Sequence, residues 1–92
     1  MTPADRPSIR AGFRLQWEAV QNAYVLLYPE GMVQLNTSAA EILRRCDGAR
    51  TVEEMVADLE TAFQRSGLQD DVVRFLALAS QQGWIGMNAG ES

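Results

Sequence analysis

The sequence contains no histidine. That removes both the commonest general base and the commonest metal ligand. A single cysteine, Cys46, permits no disulfide within the chain and no cysteine-based zinc spacing. No apolar run extends beyond a few residues, so no segment reads as a bilayer span. Cations are also scarce, with 8 basic residues against 12 acidic and a formal charge of −4. Binders of duplex or RNA usually carry a clustered Lys/Arg surplus, so nucleic acid is not an expected partner. The opening stretch Met1–Ser8 holds an acid and two prolines but no apolar block. It does not read as a signal peptide, and the expected compartment is the cytoplasm.

What remains is a single domain of 92 residues, 47% of them apolar. Residues 1–10 read as a flexible lead-in, because Pro3 and Pro7 disfavour regular pairing. The folded domain is expected over residues 11–85, and residues 86–92 as a flexible tail. Within the domain, Phe13, Leu15 and Trp17 alternate with Arg14, Gln16 and Glu18, the pattern of a half-buried strand. Tyr24–Tyr28 is apolar on both faces and reads as a central strand. Pro29-Glu30-Gly31 has turn chemistry, with Gly31 free to take a positive φ, and a third strand follows over Met32–Asn36.

The remainder is helical. Ser38 and Glu41 have capping-box spacing, as do Thr51 and Glu54. Ala39, Ile42, Leu43 and Cys46 mark the inner face of the first helix. Val52, Met55, Val56, Leu59 and Phe63 recur at helical spacing in the second, which Ser66-Gly67 ends. The third begins near Gln69-Asp70-Asp71, with Val72, Phe75, Leu76 and Ala79 as its main apolar stripe and Val73, Ala77 and Ser80 as a smaller one. The order β-β-β-α-α-α predicts an α+β domain. It is winged helix-turn-helix-like, with a three-stranded antiparallel sheet followed by three helices.

Catalytic readings fail on residue type. Cys46 lies beside Arg44 and Arg45, which favour a thiolate, but its helical spacing from Ile42 makes it a small buried hydrophobe. Glu53-Glu54 and Asp70-Asp71 are neighbours on helices, so their side chains diverge, and their first-turn positions suit the helix dipole. No glycine cluster forms a phosphate cradle. The helix-turn-helix keeps a winged-helix DNA-binding regulator as an alternative. The second helix, however, exposes Glu53, Glu54, Asp58 and Glu60, where a groove-reading helix carries bases.

The third strand is unusual in lacking lysine, proline or any other guard on its expected open edge. Three occupants suit such an edge: an added peptide strand, the third helix, or a second copy of the chain. Patterning alone leaves all three open.

Several motifs nevertheless recur together in one family. They are Leu26-Leu27-Tyr28-Pro29-Glu30, Val33-Gln34-Leu35-Asn36, Ala40-Glu41-Ile42-Leu43, Cys46-Asp47-Gly48, Thr51-Val52-Glu53-Glu54-Met55 and Asp71-Val72. In order and spacing they resemble the PqqD family of pyrroloquinoline quinone biosynthesis, with a match over about residues 6 to 85. Its relatives include peptide-recognition domains that accompany peptide-modifying enzymes. The resemblance implies a non-catalytic, cofactor-free peptide chaperone. It would bind the precursor peptide PqqA by β-strand addition and present it to the radical SAM enzyme PqqE, which cross-links a glutamate and a tyrosine of the peptide. The implied peptide site is the strand Met32, Val33, Gln34, Leu35 and Asn36, with Val73, Arg74, Ala77 and Ser80 as a groove wall. No nucleic acid or membrane partner is implied, and the open edge allows a monomer or a homodimer.

Overall fold

Two short hairpins and three amphipathic stretches account for most of the architecture. The structure, a computed structural model, describes residues 1–88. Its elements are β1 (Arg6–Ile9), β2 (Arg14–Glu18), β3 (Ala23–Tyr28), β4 (Gly31–Gln34), α1 (Thr37–Arg44), α2 (Val52–Phe63), α3 (Gln69–Gln81) and β5 (Ile85–Asn88). The fold class is α+β, with three helices and antiparallel sheets.

Strands β2, β3 and β4 form the expected three-stranded sheet in sequential order. Central β3 explains its two-sided apolar sequence, since Val25 and Leu26 are both inaccessible to solvent. The β2–β3 turn is closed by Asn22 at φ 55, a left-handed position that asparagine tolerates better than most residues. Gly31 does not use its freedom: it starts β4 directly opposite Tyr28, and its φ is not positive.

One face of this sheet packs on the helices. Leu26, Leu35, Ile42, Leu43, Met55, Leu59, Val72 and Leu76 belong to one continuous buried cluster, with Val33 and Phe75 packed against it. Thr51 and Glu54 make the predicted reciprocal capping box. The Ser38–Glu41 box does not form. The first helix begins two residues earlier than that spacing implies, and Asn36 caps it by accepting the Ala39 N–H at 2.8 Å. Glu41 is instead engaged by Arg44 and Arg45. The second helix also ends before Ser66-Gly67, at Gln64, which takes φ 55 without being glycine.

The termini depart most from expectation. Arg6–Ile9 is a strand, and it pairs with Ile85–Asn88 to form a second, two-stranded sheet. Arg6–Ile9 of the expected 1–10 lead-in and residues 86–88 of the expected 86–92 tail thus lie in regular structure, and residues 89–92 lie outside the described residues. Pro7 is compatible with this pairing because it faces Met87 at a position that exchanges no hydrogen bonds with β5. The bonded positions are set by Arg10, whose N–H donates to the Trp84 carbonyl at 2.9 Å. Pro7 uses its carbonyl on the other side, accepting from the Gly48 N–H at 2.9 Å. Strand β1 is thus held between β5 and the α1–α2 link, and neither of its sides remains open.

Arg45 ties α1 to α2 by bonding both Glu41 and Asp58. These contacts lower the Glu41 and Asp58 pKa values, with the Arg45 hydrogen bond as the largest cause for each. A lowered folded pKa stabilises the fold above the unfolded carboxylate value, roughly 4, and that stability is lost as pH falls through the folded value. Urea titrations at a series of pH values should show stability declining below about pH 4, and Arg45→Met should flatten that decline. Gln64→Gly should raise stability by about 1 kcal/mol by relieving the left-handed cap.

Candidate functional site

The hydrogen-bond alternation along β4 decides which of its backbone groups are available. In an antiparallel ladder, every second pair exchanges both hydrogen bonds. The Leu35 N–H donates to the Tyr24 carbonyl at 3.2 Å. With Leu26 opposite Val33 and Tyr28 opposite Gly31, the bonded residues of this strand are therefore Gly31, Val33 and Leu35. Met32 and Gln34 point their N–H and C=O groups the other way. Among the described residues no strand pairs with that side.

This edge carries no guard. Residues 31–38 contain no charged side chain and no proline. The opposite edge of the sheet, β2, differs. There Arg14 donates to Gln16 at 2.8 Å, and Gln16 donates to Glu18 at 2.7 Å, so a chain of polar and charged groups runs along the strand. Charged edges resist pairing with foreign strands. The sheet is thus protected on one side and open on the other.

The side chains of the predicted strand site divide by the same alternation. Val33 is half-buried and Leu35 buried, both on the core face. Met32 is 48% exposed, and exposed Gln34 donates to Gln21 at 2.6 Å. Asn36 belongs to the helix cap rather than the strand, and its side-chain oxygen is committed to Ala39.

The third helix presents two flanks around its buried line of Val72, Leu76 and Ala79. On one flank, Asp71 and Val72 share a hollow of about 210 Å³ with Ser38 and Ile42. These two residues belong to the first turns of α1, immediately beyond β4. Helical spacing puts half-buried Phe75 and 46%-exposed Leu78 on the Asp71 side. The other flank holds Val73, which lines a different hollow with Met1, Pro3 and Val56. Ala77 and Ser80 are exposed on Val73's side by the same spacing. The structure keeps Met32–Leu35 together on one strand and places Val73, Ala77 and Ser80 on one flank of α3. Arg74 points outward, 3.6 Å from Asp71, and both side chains are largely exposed. Helical periodicity fixes the two flanks of α3 without saying what each one meets.

No alternative chemistry gathers elsewhere. Among the described residues no group of three His, Cys, Asp or Glu side chains converges as a metal site. No described helix is long and apolar enough to cross a membrane. Cys46 is buried, its thiol donating to the Ile42 carbonyl at 3.4 Å. Burial, aided by Asp47, pushes its pKa up to about 12. That is opposite to the shift of a reactive thiol. The second helix carries four acids and no base, which disfavours a groove-reading role.

The geometry defines a small α+β domain that offers an unguarded strand edge at β4. Comparison with known proteins gives this class a family. Residues 23–85 match the family described as Coenzyme PQQ synthesis protein D (PqqD). The PqqA binding protein of Stutzerimonas stutzeri is 54% identical over 80 residues, covering 86% of this chain and 87% of the relative. That of Azotobacter vinelandii is 52% identical over 82 residues, covering 88% and 89%. The solution NMR structure of the PqqD truncation of Methylobacterium extorquens PqqCD superposes with a TM-score of 0.77 at 28% identity. The match covers 92% of this chain and 93% of that one. That truncation is described as a functional, stand-alone recognition element for ribosomally synthesized and post-translationally modified peptides. The chain belongs to the PqqD family.

The buried thiol gives a direct check. Cys46 should resist a disulfide reagent such as Ellman's at pH 8 in the native protein and react fully once the chain is unfolded in guanidinium.

Proposed function

We propose that this chain is a PqqA-binding peptide chaperone of pyrroloquinoline quinone biosynthesis, without catalytic activity of its own, acting in the cytoplasm. The observation that carries the reading is the outward pair of backbone groups at Met32 and Gln34 on a strand with no guard. An extended segment of PqqA adds as a further strand to β4. Two N–H donors and two carbonyl acceptors meet it there, each bond contributing a net ~0.5–1.5 kcal/mol. Such bonds are indifferent to side chains, so selection of the peptide falls to what flanks them. Met32 lies on one face of the added strand. On the helix side, Phe75 and Leu78 offer apolar surface and Asp71 a charge. Both the relatives named as PqqA binding proteins and the peptide-recognition element of similar fold support this assignment.

The rest of the domain holds the edge rigid. Strand β3 is hydrogen-bonded on both sides, and the Asn36 cap fixes where β4 gives way to α1. The three-stranded sheet and helices act as a winged-helix-like frame whose wing serves peptide rather than DNA. Bound PqqA is then presented to PqqE, whose chemistry requires the peptide to be held while its reacting residues reach the enzyme. Without peptide, the same edge is free to pair with a second copy of the chain.

Substitutions on adjacent residues of β4 separate this reading from a merely structural role. Gln34→Pro removes an outward N–H while sparing the ladder to β3. It should lower PqqA affinity at least about tenfold in calorimetry, the equivalent of 1.4 kcal/mol, with the fold intact by circular dichroism. Gln34→Ala keeps the N–H and should bind nearly as the parent does. Val33→Pro breaks a bond to β3 and should lower thermal stability as well. Equal PqqA affinity in Gln34→Pro and Gln34→Ala would remove the strand edge as the site.

A further inference from the structure

The larger of the hollows lies on the far flank of α3. It has a volume of about 440 Å³ and is bounded by Met1–Pro3, by α2 and by Val73. Val56, Ala57, Val73 and Pro3 give it an apolar lining, and Glu53 and Glu60 stand at its rim. Neither carboxylate has a cationic partner among the described residues. Glu60 accepts only the backbone N–H of Leu68, at 3.0 Å. Of the bases nearest in sequence, Arg50 is engaged by Asp47 and Arg45 by Asp58, and Arg65 lines the other hollow. Glu53 and Glu60 thus set two unpaired carboxylates against the single amino terminus of Met1, a net negative rim around an apolar floor.

This surface cannot take a ligand in the way the β4 edge can. Its helical walls satisfy their backbone groups internally, and in the N-terminal segment the Thr2 N–H and carbonyl are both taken by Asp5. The exposed N–H groups at the start of α2 are also taken, Val52 by the Asp5 carbonyl at 2.8 Å and Glu53 by the Pro3 carbonyl at 3.1 Å. Only side chains remain to bind, which suits a helix laid in a groove rather than an extended strand. An occupant must supply apolar side chains for Val56 and Val73 and cations for Glu53 and Glu60.

We infer that the hollow between the N-terminal segment, α2 and α3 is a second docking surface, which takes a basic amphipathic helix of the enzyme that receives the peptide. The inference rests on the proposed presentation to PqqE and adds the surface and its chemistry. Because the two flanks of α3 face different neighbours, peptide and enzyme occupy the domain together. The acidic rim also speeds encounter, since charge complementarity acts mainly on association and on the choice of partner.

The test measures binding of PqqE and of PqqA separately, by calorimetry, to the full chain and to two variants. Glu53→Gln with Glu60→Gln removes both charges but keeps an acceptor for Leu68. It should weaken PqqE binding at least about fivefold and make that binding less sensitive to salt, with PqqA binding within a factor of about two of the parent. Val56→Glu tests the apolar floor and should weaken PqqE further, again sparing PqqA. Unchanged PqqE affinity in both folded variants, or a parent that does not bind PqqE, overturns the inference and leaves the peptide site standing. A matching loss of PqqA affinity also overturns it, because the hollow would then belong to the peptide site. Gln34→Pro is the converse control: loss of PqqA with PqqE retained is expected, and PqqA retained would count against the strand edge alone.

Discussion

Every backbone N–H and C=O removed from water needs a partner, and that requirement organises this small domain. Strand β3 satisfies it twice over, with β2 on one side and β4 on the other. Strand β1 satisfies it between β5 and the Cys46–Gly48 link. Strand β4 satisfies it only at alternate residues. Gly31, Val33 and Leu35 bond inward, and the groups of Met32 and Gln34 are left to whatever approaches from outside. Because side chains also alternate, Met32 and Gln34 are the exposed ones as well. A single period of two therefore fixes which residues build the sheet and which offer themselves to a partner.

The contrast between the two sheet edges gives this arrangement its meaning. Edge strands invite unwanted pairing, and charged residues are a common defence. Strand β2 has that defence in Arg14, Gln16 and Glu18, whereas β4 has none. Strand addition uses backbone groups and needs no ionisable side chain.

Much of this was legible in the sequence wherever the signal was local. The two-sided apolar run Tyr24–Tyr28 identified the central strand. The Thr51-x-x-Glu54 spacing identified the start of α2, and the period of Val52, Met55 and Leu59 its buried face. The features that were missed depend on distant parts of the chain. Pairing of Arg6–Ile9 with Ile85–Asn88 joins two four-residue segments from opposite ends, one of them containing a proline, and neither signals a strand alone. The competition between Asn36 and Ser38 for the cap of α1 turned on a two-residue shift of the helix start. Spacing also groups Val73, Ala77 and Ser80 as one flank of α3 without saying what that flank meets.

Amide hydrogen exchange along β4, measured with and without PqqA, tests the central claim most directly. In the free protein the Val33 and Leu35 amides should be protected by β3 while those of Met32 and Gln34 exchange rapidly. Saturating PqqA should protect Met32 and Gln34 and leave the other two unchanged. If Met32 and Gln34 still exchange rapidly with peptide bound, the peptide does not join the sheet at β4.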